Sequence, residues 1–340
     1  MFNNIKKLCE LNGISGRETV VANEIINQIK GIATEIQVDN LGNVIAFKKG
    51  KKTPKNKIML NAHTDEVGMI VTGITDDGML RFATVGGVNS KVIIGRSVRV
   101  SEKEIVGVIG TKAVHMQTAD EKKTAVPEDK LYIDIGAKDK EDAMQHVALG
   151  DSVTFVGNYV EFGDGFIKAK AIDDRAGCAI LIEIMKQDLE YDAYFAFVVQ
   201  EEVGLRGARV AAHTIEPDVA IVVESTASGD VADVSGADRV TVMGEGAVVS
   251  YMDHSTIYDK GLYDLAFKLA KEQNIACQTK TKIAGGNDAG AIHVSRKGVR
   301  TVAVSIPSRY IHSPSNVVKK EDVTATYQLA LALTNTVGEI

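Results

Sequence analysis

Four short, nearly unbroken apolar runs constrain this chain more than any other feature. They are Ile58-Met59-Leu60-Asn61-Ala62, Ala193 to Val199, Val219 to Val223 and Val302-Ala303-Val304-Ser305-Ile306. Runs of this kind suit strands covered on both faces, as in parallel or mixed sheets. Helical patterns separate them: Ala176 to Leu189, a stretch near 256–273 marked by Ile257, Leu262, Leu265, Ala266 and Leu269, and Val323 to Val337. Strands alternating with helices predict an α/β fold, a mixed sheet flanked by helices.

Residues 67–160 read differently. Short alternating runs (Val67 to Ile74, Val98 to Val100, Val106 to Ile109) are punctuated by Asp76-Asp77-Gly78 and Gly86-Gly87, and Gly150 to Phe155 continues the pattern. No helix is expected there. A chain of 340 residues exceeds what one core usually holds. The expectation is therefore a discontinuous α/β unit, 1–66 with 161–340, carrying a small β-barrel-like unit at 67–160. Gln117 to Lys130, polar and containing Pro127, is expected to be a mobile loop in the insert. Near the N-terminus, Ser15-Gly16-Arg17-Glu18 reads as a capping box ahead of a helix carrying Val21, Ile25 and Ile29.

Composition removes several function classes. Hydrophobic residues are 45% and charged residues 25%, which excludes a disordered chain or a coiled-coil rod. The net charge is −6 without a long block of either sign, so nucleic acid is not an expected partner. Cys9, Cys178 and Cys277 are too few and too scattered for a disulfide framework or thiolate cluster. No apolar run approaches the ~20 residues of a membrane span, and no signal-peptide core precedes the first helix. A cytoplasmic protein without membrane contact is expected.

The chemistry sits where the strands stop. Ile58 to Ala62 runs into His63-Thr64-Asp65, Phe166 to Ile172 into Asp173-Asp174, Ala193 to Val199 into Gln200-Glu201-Glu202, and Val219 to Val223 into Glu224. His312 follows the last run after a short loop. Open α/β sheets bind ligands outside the carboxyl ends of their strands, so two histidines and six carboxylates are expected to converge. Buried like charges repel and lose hydration, and a divalent cation is the simplest neutraliser. Nitrogen and oxygen donors without thiolate point to zinc, cobalt or manganese. The set is large enough for two ions bridged by one aspartate, about 3.5–4 Å apart in typical two-metal sites.

In this light His63-Thr64-Asp65-Glu66-Val67-Gly68, Asp173-Asp174-Arg175, Glu201-Glu202-Val203-Gly204, Glu224, Ile311-His312-Ser313-Pro314 and the loop Gly285-Gly286-Asn287-Asp288-Ala289-Gly290 resemble the dinuclear-metal aminopeptidases of the tetrahedral-assembly (TET) type. That family includes glutamyl and deblocking aminopeptidases and some members labelled endoglucanase. The resemblance runs from about residue 1 to 338, with the motifs in the family's order. It implies a zinc-peptidase-like sheet and an aminopeptidase that removes N-terminal residues from short peptides by attack of a metal-bridging hydroxide. His63 and Glu224 would hold one metal, Glu202 and His312 the other, and Asp173 would bridge them. Glu201 would be the general base, Asp65 would orient His63, and the Asp173–Asp174 peptide would be cis. The inserted unit would make dimer contacts, with dimers building a dodecamer. Position 224 departs from the pattern, holding glutamate where many members have aspartate.

Rival readings are a two-metal deacylase of N-acyl amino acids, a glycan hydrolase and an inactive metal-binding scaffold. Glycosidases ordinarily work with two carboxylates and no metal pair, which weighs against the second. Retention of Glu201 beside the ligands weighs against the third. His115, His146, His213, His254 and His293 lack acidic companions at strand ends and receive no role. Asp288 fits either a pocket rim or a plain turn. Neither Gly86-Gly87 nor Gly285-Gly286 has the strand–turn–helix setting of a phosphate loop.

Overall fold

All four apolar runs become neighbouring strands of one sheet. A computed structural model describes residues 1–340, the side chain of Ala237 excepted. Its eight-stranded sheet has the order Glu35–Val38, Val44–Lys48, Ala193–Val198, Ile58–His63, Val219–Ala227, Arg300–Ser308, Ala247–Val249, Cys277–Thr279. The middle four strands are mutually parallel, with Phe197 opposite Ala62 and Glu224 opposite Ser305. Their carboxyl ends therefore share one edge. The flanking strands Val44–Lys48 and Ala247–Val249 run antiparallel to them, which makes the sheet mixed.

Strand alternation sorts the sheet's two faces. Ile58, Leu60, Phe195, Phe197, Val219, Ile221, Val302 and Val304 join the larger core. Helices Phe2–Glu10, Thr19–Ile29, Ile172–Met185, Lys260–Glu272 and Lys320–Thr334 cover that side. Helix Ile172–Met185 is buried along almost its whole length, from Ala176 to Leu181 without a break. Truncating Leu181 to alanine there would cost about 2–5 kcal/mol. Met59, Ala196, Val198, Ala220, Val222 and Ala303 face the opposite way, onto Ala208, Ala211 and Ala212 of helix Arg206–Ile215 and onto Ala289 and Ile292. Small alanines allow that helix to lie close to the sheet. Continuing the same parity to the strand ends brings His63, Glu224 and Ser305 to this second face.

The insert closes on itself. Strands Gly68–Ile74, Leu80–Val85, Tyr132–Asp134, Ile105–Gly110, Ser97–Val100 and Ser152–Phe155 form a six-stranded barrel in that order. Met69 and Val71, Leu80 and Phe82, Val98 and Val100, and Val153 and Phe155 fill it at a period of two. A third, small sheet joins Val160–Phe162, Phe166–Ala169 and Asn316–Lys319. Among the described residues no helix is long and apolar enough to cross a membrane.

Several local expectations change. Ser15 caps no helix: the helix starts at Thr19, its N-cap residue Glu18 makes no side-chain cap bond, and Ser15 bonds elsewhere. The apolar run at 166–172 is not one strand. It splits into Phe166–Ala169 in the small sheet and the start of helix Ile172–Met185, so Asp173 and Asp174 sit in the helix's first turn. The strand expected to end at Glu224 continues to Ala227. The insert holds two short helices, Ser90–Ile93 and Lys140–Met144, too brief to show a helical period. In the segment 117–130 lie two single 3₁₀ turns, Glu121–Lys123 and Glu128–Lys130. The second is tied to the barrel, since Glu128 accepts hydrogen bonds from the Thr84 amide at 2.7 Å and its hydroxyl at 3.1 Å.

Candidate metal centre

His63 is the last residue of its strand, with 1% exposure. Its Nε2 lies 3.3 Å from Asp173 Oδ1, 3.6 Å from Glu224 Oε1 and 4.0 Å from Glu201 Oε2. His312 arrives from the loop after Arg300–Ser308, in a left-handed conformation (φ 58°) that turns its ring back towards the sheet. Its Nε2 lies 3.4 Å from Asp173 Oδ2 and 3.2 Å from Glu202 Oε2. Asp173 thus stands between two imidazoles with one oxygen toward each. The peptide bond between Asp173 and Asp174 is cis. Asp174 is also fully buried, accepting from the His63 amide at 3.3 Å and the Gly177 amide at 3.0 Å.

The seven residues to which the resemblance gives roles, His63, Asp65, Asp173, Glu201, Glu202, Glu224 and His312, therefore meet at one place, with Asp174 beside them. Donor atoms of His63, Asp173 and Glu202 lie within 4.8 Å of one another, as do those of His63, Asp174 and Glu224. The electrostatics show what such crowding does. Burial, aided by the Asp173 charge, pushes Glu202 up to about 8. Burial likewise takes Glu224 up to about 8, with the His63 charge opposing and Asp173 adding to the rise. Glu201 is raised well above its ordinary range by burial and by Asp288, Glu224 and Glu202. Burial opposes protonation of His312, yet Asp173 and Glu202 lift it to about 9. Acids that keep protons and imidazoles that gain them mark an excess of buried negative charge. Oxygen and imidazole donors aimed at common points fit divalent cations, which would discharge that excess.

Residues behind the donors hold them in place. His63 Nδ1 faces the Asp65 main-chain oxygen at 3.1 Å and Asp65 Oδ1 at 3.3 Å. Asp65 also accepts from the Ser15 hydroxyl at 2.6 Å and from the amides of Glu201 at 3.0 Å and Glu202 at 3.2 Å. One carboxylate thus joins two strand ends and the N-terminal loop. Glu18 reinforces the link, accepting from the Gly16 amide at 2.7 Å and the Gln200 amide at 3.2 Å. Beneath them Glu66 meets Lys170 Nζ at 2.7 Å, and Arg175 donates to the carbonyls of Thr64 and Leu8, both at 2.7 Å.

Two contributors are hidden in the sequence, and a third, Asp288, reads there as either a pocket rim or a plain turn. Ser15 looked like a helix cap. Gly86-Gly87 looked like a simple turn, yet a Cβ on Gly87 would sit 2.9 Å from His312 Nδ1, and one on Gly86 would sit 3.2 Å from the Glu202 Cβ. The Gly87 carbonyl also lies 3.2 Å from that ring nitrogen. Asp288 proves fully buried, accepting from Asn61 Nδ2 at 2.7 Å while its other oxygen has no partner. Asn61, a polar residue inside a buried strand, was the available signal.

A cleft of about 210 Å³ opens over the donors, lined also by Ser225, Thr226, Ser250, Lys280 and Gly285-Gly286. A larger groove of about 490 Å³ lies between Arg17 and the 144–152 segment and holds none of the seven residues. Size and chemistry point to different places, and the clustered donors decide for the smaller.

Comparison with known proteins agrees. The model of the M42 glutamyl aminopeptidase family matches residues 42–329. The chain belongs to that family. An Acetivibrio thermocellus protein assigned as an aminopeptidase is 41% identical over 97% of each chain. The lysyl aminopeptidase of Pyrococcus furiosus is 34% identical, over 97% of this chain and 95% of its own. The TET aminopeptidase of a marine-sediment thaumarchaeote superposes with a TM-score of 0.94 at 35% identity, covering 99% of this chain and 96% of its own. The TET1 peptidase of Pyrococcus horikoshii, described as assembling into a tetrahedron or a large octahedral shell, gives 0.87 at 34% identity, with 99% of both chains covered. A Thermotoga maritima structure described as an endoglucanase gives 0.81 at 32% identity, covering 98% and 97%. As an M42 protein the chain is a peptide hydrolase of the aminopeptidase class.

Proposed function

We propose that this M42 member removes N-terminal residues from short peptides at a centre for two divalent cations, zinc or cobalt, with manganese also suited to the donors. His63 and Glu224 would hold one ion, Glu202 and His312 the other, and Asp173, with one oxygen toward each imidazole, would serve both. The observation that carries this reading is the placing of the two Asp173 oxygens, 3.3 and 3.4 Å from the two imidazole nitrogens. Bound cations would supply Lewis acidity towards the scissile carbonyl and its attacking water.

The chain's own residues do the rest. Glu201 takes the proton of the attacking water and passes it to the leaving amine, a role that suits a carboxylate whose proton affinity is raised. Asp65 keeps the His63 ring in one orientation and one tautomer by accepting at Nδ1. The carboxylates at the centre favour a free amine at the substrate's first residue, and anchoring that amine fixes the first peptide carbonyl.

Residues 1–66 with 161–340 form the catalytic unit and 67–160 an inserted unit through which copies of the chain dimerise, with dimers building towards a dodecamer. The relatives that form shells support this assembly. Three free cysteines suit a reducing, cytoplasmic setting.

The deciding experiment follows a free-amino peptide and its N-acetylated twin by mass spectrometry over time. Stepwise loss of the first residue from the free peptide, with its twin cleaved much more slowly, is expected. Initial cuts inside the chain, or preferential release of acetate from N-acetyl amino acids, would refute the aminopeptidase mechanism.

A further inference from the structure

Ordinary helix geometry does not hold the segment that carries Asp173. Ala171 is left-handed (φ 53°), and Asp173 and Asp174 have non-helical ψ values of 106° and 40° although they open helix Ile172–Met185. An aspartate set between two imidazoles therefore needs support from side chains. Two cations flank it in sequence, Lys170 three residues before and Arg175 two residues after. Both are withdrawn from solvent, at 4% and 0% exposure.

The Lys170 ammonium uses all three of its donors, on Glu66 Oε1 at 2.7 Å, Glu66 Oε2 at 2.8 Å and the Leu11 carbonyl at 2.9 Å. The Arg175 guanidinium donates to the carbonyls of Thr64 and Leu8, both at 2.7 Å, and of Gly13 at 3.2 Å, and it lies 3.5 Å from Glu66 Oε1. These partners come from two segments only. Thr64 and Glu66 follow His63, while Leu8, Leu11 and Gly13 belong to helix Phe2–Glu10 and the loop after it. Glu66 joins the two, its amide donating to the Gly13 carbonyl and its Oε1 accepting from the Gly13 amide, both at 3.0 Å.

Stability alone is a poor reason for such a network. Burying charges costs desolvation, and apolar side chains of similar volume often serve a core as well or better. What the network does supply is geometry, because a planar fork and a saturated ammonium fix three stretches of chain against one another. Its place is also specific. Glu66 and Lys170 share with Asp173, Glu202 and His312 the lining of a cavity of about 10 Å³, room for about one water. The ion pair thus lies directly behind the second set of donors.

We propose that Lys170, Arg175 and Glu66 are positioning residues that tie the Asp173 segment to the His63 segment and to residues 8–13, and so set how Asp173 meets the two imidazoles. The inference rests on the two-cation reading of the centre. Through three main-chain carbonyls it makes the N-terminal segment, which contributes none of the proposed ligands, a support of the hydrolytic site.

Two variants test it without touching a ligand. A Cβ on Gly13 would sit 3.1 Å from Arg175 Nη2 and 2.9 Å from Val21 Cγ2, so Gly13→Ala presses on the fork. The double variant Glu66→Gln with Lys170→Met removes both charges of the ion pair together and leaves neither uncompensated. Competition against a chelator gives the affinity for zinc, initial rates on a free-amino peptide in excess zinc give kcat and KM, and the thermal midpoint with chelator present reports folding. Both variants should bind both zinc ions about 10- to 100-fold more weakly, the scale of losing the groups behind a ligand. In both, kcat should fall while KM stays near the parent value, since the perturbed groups do not face substrate. Arg175→Lys keeps the charge without the fork and should behave as Gly13→Ala does. Should the double variant not fold, Gly13→Ala decides alone. A folded Gly13→Ala protein with parental zinc affinity and kcat, changed only in its thermal midpoint, overturns the proposal and leaves the aminopeptidase reading standing. A parent protein that binds no zinc and keeps full activity under chelation overturns both.

Discussion

Ser15→Ala removes a single hydroxyl from the N-terminal loop, and its effect can be reckoned from Asp65. That carboxylate is fully buried and faces four donors: the Ser15 hydroxyl at 2.6 Å, the Glu201 and Glu202 amides at 3.0 and 3.2 Å, and His63 Nδ1 at 3.3 Å. A hydrogen bond to a charged group contributes about 1.5–3 kcal/mol net. Three donors remain after the deletion, so the lower part of that range applies, about 1.5–2 kcal/mol. Because Asp65 orients a proposed metal ligand and tethers Glu201 and Glu202 beyond the end of the neighbouring strand Ala193–Val198, the loss falls on the site's geometry. At about 1.4 kcal/mol per tenfold, metal affinity or kcat should drop by roughly 10- to 30-fold. Competition against a chelator of known affinity measures the first, and initial rates on a free-amino peptide the second. Ser15→Thr, which keeps the hydroxyl, should recover most of the loss. An alanine variant with wild-type metal affinity and kcat, or a folded threonine variant as impaired as alanine, would show that Asp65 does not need this donor.

Four further outcomes follow from the same geometry. Glu201→Gln should lower kcat by about 10²–10⁴-fold while metal content stays near wild type, whereas Glu202→Gln should lose metal; titration of bound metal beside kinetics separates them, and exchanged phenotypes would reverse the two roles. Chelation should abolish activity and lower the thermal midpoint together, because cations that bind only the folded chain stabilise it by mass action; a midpoint unchanged by exhaustive chelation would contradict the metal centre. Gly87→Ala would place a methyl carbon 2.9 Å from His312 Nδ1, so the ring must shift and metal affinity should fall with little change in barrel stability, readable by calorimetry. Burial raises the pKa of Asp230, but hydrogen bonds from Arg309 and Ser228 outweigh it and hold it below the usual carboxylate range. Its contribution is then present above the unfolded value of about 3.9 and disappears as pH falls through the lower folded value. The stability difference between parent and Asp230→Asn should shrink at acid pH, and a difference constant across that window would contradict the pairing.

How legible all this was depends on the range of the interactions involved. Apolar runs such as Ala193 to Val199 announce buried strands because burial on two faces leaves a local mark. His63, Glu201, Glu202, Glu224 and His312 were readable because each follows such a run. Strand order left no trace: nothing local places Ala193–Val198 between Val44–Lys48 and Ile58–His63. The role of Ser15 was obscured by a competing local pattern, since serine three residues before glutamate is what a capping box looks like. Its actual partner lies fifty positions away. Asp173 was assigned to a strand end because helix Ile172–Met185 begins within an apolar run that a strand had already opened. The close approach of Gly86-Gly87 to His312 depends on how the barrel meets the sheet, which only tertiary packing decides.

The scatter of the donors along the chain has a bearing on biosynthesis. His63, Asp173, Glu202, Glu224 and His312 lie on five separate segments, so no contiguous fragment shorter than the span from the first to the last carries the full set. The strand preceding His312 enters between Val219–Ala227 and Ala247–Val249, in the interior of the sheet. Until it docks, the strand bearing Glu224 has an open edge and the second imidazole is missing. With the proposed ligands, a nascent chain that still lacks this strand is expected to be without hydrolytic activity. Placing the second imidazole after an interior strand thus couples completion of the proposed centre to completion of the sheet.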